Sequence, residues 1–219
     1  MSKLEKDFKD LCEAYNNKNY YDSIELGEIF TRKFPQKGDG WNVLALAYKS
    51  IGKTKRAVKI LELLIKQLPQ VEYYKANLGN LFLKMGRIND AKTVFSEILK
   101  NNSQSEIGLY SMGVIYMQIK KESKGQELFQ KLIEINPKHD EAIYQLGNIY
   151  KSKGNYQAAL QLFKKSNAKH SRSNCLECLI CEDQPKKLFE YYQELSDREV
   201  STPLMGGVIE HARIIYNQN

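Results

Sequence analysis

The chain has 219 residues, of which 42% are hydrophobic, with 13 glycines and 5 prolines. That is enough apolar material to bury a core and too little glycine and proline for a disordered or collagen-like chain. No apolar run approaches the roughly 18 residues of a membrane span, and the charged opening MSKLEKDFKD lacks an apolar signal region, so a cytoplasmic protein is expected.

In chain order, the first element pair spans about residues 5–36. Phe8, Leu11, Cys12 and Tyr15 fill its first half and Ser23, Gly27, Phe30 and Pro35 its second, with one residue deleted between the halves. Residues 38–70 follow with Trp41, Leu44, Ala45 and Tyr48, then Ala57, Leu61, Leu64 and Pro69. An advance of 34 refills the slots over 72–104 with Lys75, Leu78, Gly79, Phe82, Ala91, Phe95, Ile98 and Ser103. The next copy, 106–138, has Leu109, Met112, Gly113, Tyr116, Gly125, Phe129, Leu132 and Pro137. The fifth, 140–171, has Ile143, Leu146, Gly147, Tyr150, Ala159, Phe163, Ser166 and Ser171. Apolar spacings of three and four predict two amphipathic helices per copy. Small residues recur where paired helices must approach closely. Gly52, Gly86 and Gly154 mark the turns between halves. The third such turn, Lys120-Lys121-Glu122, lacks glycine and is expected to cap less sharply.

After Ser171 the strict spacing fails. Residues 172–181 and 185–196 still predict a helix pair, with Pro185 in the first turn of the second, and read as a degenerate sixth copy. Ser201-Thr202-Pro203 signals a last helix, which would cover the final apolar face. Gly206 and Gly207 weaken or bend it.

These slots resemble the tetratricopeptide repeat (TPR), whose signature is W-x2-L-G-x2-Y, then A-x3-F, then P, over about residues 5–171. The resemblance implies an all-α fold: a right-handed superhelical solenoid of antiparallel helix pairs over 1–171, with 172–219 supplying a degenerate repeat and a C-terminal capping helix. It also implies that each first helix lines a concave groove. Residue by residue, the lining is Asn42, Val43 and Leu46; Tyr73, Asn77 and Asn80; Tyr110, Ser111 and Val114; Tyr144, Gln145 and Asn148. Amide side chains donate and accept, so they can pair with the backbone of an extended peptide without reading its side chains. Tyrosines add flat contact area at low entropic cost.

Some members of this family grip the C-terminal carboxylate of heat-shock chaperones through lysines, asparagines and an arginine. Here those places hold Lys9, Glu13, Val43, Tyr73 and Asn77, and only Lys9 matches. Set on the later repeats they hold Ala76, Asn80, Ser111, Glu141 and Gln145, and the fit is no better. A chaperone co-factor of that kind is disfavoured.

The heptapeptide CLECLIC, residues 175–181, is the chemically suggestive stretch. On a helix, Cys175, Leu176, Leu179 and Ile180 form one apolar arc, Asn174 and Glu177 lie opposite, and Cys178 and Cys181 sit at the border. Cys175 and Cys181 would lie about 9 Å apart along the axis, whereas sulfurs on one zinc lie within about 4 Å of each other. Packing, against the terminal helix, is therefore preferred to a metal site. No phosphate loop, G-x-S-x-G or H-E-x-x-H is present, and His139, His170 and His211 stand apart from one another. No catalytic residue, metal or cofactor is expected.

The net charge is +7, and all of the excess lies in residues 1–138, where 23 Lys/Arg face 16 Asp/Glu; residues 139–219 carry 10 of each. The densest group, Lys53, Lys55, Arg56 and Lys59, falls at a predicted turn and reads as a solvated surface. The preferred function is a non-catalytic scaffold that binds an extended peptide or protein segment. The alternatives are the N-terminal TPR region of a longer oxygenase or transferase and, ranked last, an anionic-surface or nucleic-acid binder. Partner identity and oligomeric state are not readable.

Overall fold

The computed structural model describes residues 2–168 and 170–194, together with 210, 213 and 214. Among the described residues the helices run in order: α1 (Lys3–Asn16), α2 (Tyr20–Lys33), α3 (Gly38–Ser50), α4 (Thr54–Gln67), α5 (Glu72–Lys84), α6 (Ile88–Asn101), α7 (Glu106–Gln118), α8 (Glu122–Ile135), α9 (Asp140–Ser152), α10 (Tyr156–Lys165), α11 (Ser171–Cys181) and α12 (Pro185–Gln193). No strand occurs among the described residues. The fold is an all-α helical-repeat solenoid built from antiparallel pairs. The closing helix expected after Ser201 lies outside the described residues, apart from Glu210, Arg213 and Ile214.

Local chemistry sets the helix ends. Ser2 and Glu5 form a reciprocal capping box on α1. Asn155 accepts from the Ala158 amide at the start of α10. Each pair turns through one residue with positive φ: Lys18, Gly52, Gly86, Lys120, Gly154 and Asp183. The first five are spaced by 34, and the sixth follows after 29. Two expectations are refined by this series. Lys120 adopts φ 58°, so the glycine-free turn has the same geometry as its neighbours. The first pair keeps the 34-residue period through Lys18, so its apparent deletion is only an offset within α1.

The core repeats with the backbone. A Cβ placed on Gly79, Gly113 or Gly147 would lie 2.6 Å from the ring of Phe95, Phe129 or Phe163, respectively. Glycine is therefore required at these three contacts, each within one helix pair. In the α3–α4 pair the same two slots hold Ala45 and Leu61, so a larger residue on one helix meets a smaller one on the other.

Contacts group the chain into two compact units, Met1–Gly108 and Leu109–Asn219, which divide within α7. In the second unit α10 is 10 residues long, where α4, α6 and α8 are each 14. This lost turn puts the sixth pair five residues out of register. Once it is allowed for, Cys175, Leu176, Cys178 and Leu179 take the slots of Leu44, Ala45, Ala47 and Tyr48, and all eight are buried.

Candidate functional site

In the first unit the first-helix face carries Asn42 on α3 and Tyr73, Asn77 and Asn80 on α5. The Asn77 amide donates from Nδ2 to Asn42 Oδ1 at 2.8 Å, which ties adjacent repeats together. Tyr73 donates to the carboxylate of Asp39, and Tyr74 reaches the same oxygen at 3.1 Å. Asp39 lies in the first turn of α3, where a negative charge suits the helix dipole. Burial, then the bond to Asp39, pushes the Tyr73 hydroxyl well above the usual tyrosine range, so it stays protonated. Tyr73 is spoken for by Asp39, which sequence reading did not single out. Asn80 is exposed.

In the second unit Tyr110 stacks on His139, with ring centroids 5.4 Å apart. His139 Nδ1 in turn accepts from the Ala142 amide at the start of α9. Ser111 is buried and Gln145 half-buried. Tyr144 and Asn148 are gathered by Asn174 of α11, whose Nδ2 donates to Tyr144 Oη and to Asn148 Oδ1, each at 3.2 Å. Lys151 Nζ donates to Asn174 Oδ1 at 2.8 Å and to Glu177 Oε2 at 2.6 Å.

This network fixes its own orientation. An ammonium only donates, so the Asn174 oxygen must face Lys151 and its nitrogen must face Tyr144 and Asn148. Asn148 must then turn its oxygen inward. Its two amide hydrogens and the Tyr144 hydroxyl hydrogen remain for an incoming acceptor.

Asn174 corrects the sequence reading, which set it on the solvent side of its helix. It is 7% exposed. Its slot, after the five-residue shift, is that of Val43, Asn77, Ser111 and Gln145. The signal that could have found it was the 29-residue step from Gly154 to the Asp183 turn.

The cysteines divide by slot. Cys175 and Cys178 are fully buried, and both pack with Ala159 and Phe163 of α10. Cys178 is thus inside rather than at the border of the apolar arc, and Cys181 is exposed. The expected packing partner, the terminal helix, lies outside the described residues. Burial raises both inner thiols, Cys178 to about 11. A nucleophilic or metal-binding cysteine has the opposite shift. Among the described residues no group of three or more His, Cys, Asp or Glu is placed to hold a metal ion. No described helix is long and apolar enough to cross a membrane.

The family model described as Psidin, N-terminal TPR repeats region, matches residues 47–172, more than half of the chain. No curated protein matches the sequence. Among solved structures the chain is similar to the pilF protein of Pseudomonas aeruginosa, at 12% identity over 97% of each chain and a TM-score of 0.73. It is similar to PilW, described as a widely conserved type IV pilus biogenesis factor, at 13% identity over 97% of this chain and 100% of that one, with a TM-score of 0.72. A tetratricopeptide repeat protein from Parabacteroides merdae is 14% identical over 98% of this chain and 87% of that one, with a TM-score of 0.67. At such identities the likeness is one of fold.

Proposed function

The chain belongs to the TPR family of the Psidin N-terminal region, and from that premise we propose that it is a non-catalytic scaffold that takes the backbone of an extended protein segment on its first-helix faces. Repeats of this kind serve protein–protein interaction in general; the peptide-binding faces are the finer reading. One observation carries it: the Lys151–Asn174 network leaves the Tyr144 hydroxyl and the Asn148 amide as outward donors, suited to peptide carbonyls. The first unit supplies Asn42 and Asn77, whose mutual bond leaves one amide nitrogen and one carbonyl oxygen for a peptide backbone. Donors held in place before binding spare the ordering cost that flexible amides incur. Tyr110, Ser111 and Gln145 line the same face beside Tyr144 and Asn148, and Asn80 and Tyr73 beside Asn77. In this reading residues 1–171 form the binding array, residues 172–219 close it, and the protein works in the cytoplasm.

The test is a pull-down from native lysate with Asn77→Ala combined with Asn148→Ala. Loss of a captured partner with an unchanged helical melting curve is the expected result. Retention of every partner by the double variant would remove the first-helix faces from consideration. Asn174→Ala, which touches no partner directly, should weaken capture about tenfold by freeing Asn148 to rotate.

A further inference from the structure

The second repeat carries a feature that the first-helix faces do not use. On α3, Asn42 and Leu46 form one stripe, while Trp41, Leu44 and Tyr48 form another, directed between α2 and α4. That second stripe floors a hollow of about 500 Å³ with Ile60 at its side. Arg32, Arg56 and Lys59 line it, against the single carboxylate of Glu28. Glu28 is already engaged: it accepts from the Tyr48 hydroxyl at 2.5 Å, and Arg56 lies over the Tyr48 ring at 5.4 Å. Trp41 and Ile60 also wall a second hollow of about 200 Å³, bounded by Leu63. Leu63 is 63% exposed and carries the apolar lining of that hollow onto the surface.

No neighbouring repeat repeats this combination. The slots of Arg56 and Lys59 hold Asp22 and Glu25 one repeat earlier, and Asp90 and Thr93 one repeat later. Those of Trp41 and Leu63 hold Lys75 and Glu97 one repeat later. The combination of Trp41, Leu63, Arg56 and Lys59, completed by Arg32 from α2, is thus absent from the adjacent repeats, and a generic lysine-rich surface does not account for it.

We propose that this double hollow is a docking seat for an acidic protein segment carrying a bulky apolar side chain between its carboxylates. The apolar residue would enter beside Trp41, Leu44 and Ile60, and the carboxylates would meet Arg32 and Lys59. Charge complementarity selects the acidic partner, and an apolar anchor in a desolvated pocket is the usual energetic centre of such contacts. A nucleic-acid strand needs a track of cations with stacking platforms. Here three cations ring one hollow rather than forming a track, and the face of the Tyr48 ring is already taken by Arg56.

Trp41 is the sole tryptophan of the chain, so its emission reports on the seat. The probes are acetylated peptides of about twelve residues: Leu-Phe flanked by Asp and Glu, the same peptide with Ala-Ala at the centre, and the same centre flanked by Lys. Binding of the first at least about tenfold tighter than the other two, weakening with salt, is expected. Lys59→Glu and, on the neighbouring helix, Arg32→Glu should each weaken it about tenfold; both residues are exposed, so the melting curve should hold. Asn77→Ala with Asn148→Ala should leave this response unchanged, which separates the seat from the first-helix faces. The proposal is overturned by a silent Trp41 at about 1 mM peptide, by equal binding of the alanine-centred peptide, or by tighter binding of a thymidine oligonucleotide. Concentration-dependent dimerisation abolished by Leu63→Glu would also overturn it, because the occupant would then be a second copy of the chain.

Discussion

The second and third repeats share a backbone and differ in what fills it. Around Trp41 the hollow is about 200 Å³ and bounded by Pro35, Gln36, Leu63, Leu64 and Gln67. Thirty-four residues on, a hollow of about 400 Å³ is bounded by Pro69, Gln70, Lys75, Ile98 and Asn101. Trp41 donates its indole N–H to the Pro35 carbonyl at 3.0 Å. Lys75, in the tryptophan slot, instead meets Glu97, in the Leu63 slot, at 2.6 Å. An apolar pair has become an ion pair, with both members changed together. Just beneath, Ala45 against Leu61 has become Gly79 against Phe95. The repeat frame accepts different contents as long as facing slots change as a set, and this leaves single repeats free to acquire private surfaces.

Breaking one half of the ion pair should have the largest effect. The Lys75 side chain is 4% exposed and that of Glu97 56%. Glu97→Ala leaves a buried ammonium without its partner. Loss of a fully buried partner costs about 3–5 kcal/mol, and the exposure of Glu97 lowers the expectation to about 2–3 kcal/mol of unfolding free energy in urea titration. The double change Lys75→Trp with Glu97→Leu copies the preceding repeat, and Pro69 occupies the slot of Pro35, whose carbonyl serves Trp41. It should recover most of that loss, since apolar replacements of buried pairs are often neutral or better. A double variant no better than Glu97→Ala would show that the two repeats are not interchangeable in this slot.

The deeper pair gives a smaller effect. In Gly79→Ala the new Cβ would meet two atoms of the Phe95 ring at 2.6 Å, and Phe95 has no exposed surface through which to retreat. Overpacking at the upper end, about 3 kcal/mol, is offset by about 1 kcal/mol of helix propensity, leaving about 2 kcal/mol. Adding Phe95→Leu recreates the Ala45–Leu61 pairing and should relieve the clash, although it removes apolar volume. Chemical denaturation of the three variants forms a closed cycle, and a coupling near zero would contradict size complementarity between these slots.

The frame was legible in sequence because its slots carry a strong signal: apolar spacing and small residues agree over four strict copies, and turn glycines over three of them. Private contents were not. Lys75 refilled the tryptophan slot in the periodic reading, and only the fold revealed Glu97 as its counterpart. Arg56 and Lys59 read as solvated turn residues, because Trp41 and Tyr48 reach them from another helix. Asn77 and Asn148 could be placed on first helices by register. Their holders could not: Asp39 was outside the slots considered, and Asn174 sits after a lost helical turn that shifts the register by five. CLECLIC drew attention as possible chemistry for the same reason. In the shifted register, Cys175 and Cys178 simply occupy the core slots of Leu44 and Ala47.

The turns extend the comparison to a third repeat, with the smallest effect. Gly52 and Gly86 hold φ of 80° and 73° without strain, while Lys120 holds 58° in the equivalent place. A left-handed conformation costs a residue with a Cβ about 1–2 kcal/mol. Glycine removes that strain, and its greater freedom in the unfolded chain takes back about 0.5–1 kcal/mol. Lys120→Gly should therefore stabilise the protein by about 0.5–1 kcal/mol, read as a rise in the urea midpoint without a change in slope. Gly86→Lys, the reverse exchange one repeat earlier, should lower stability by a similar amount, since a Cβ there would meet nothing within 4 Å and only the backbone conformation is at issue. Equal and opposite shifts would show that the turns are governed by local φ alone. A loss of stability on Lys120→Gly would mean that the lysine side chain contributes more than its strain removes, with the α7–α8 turn then differing from its neighbours in kind.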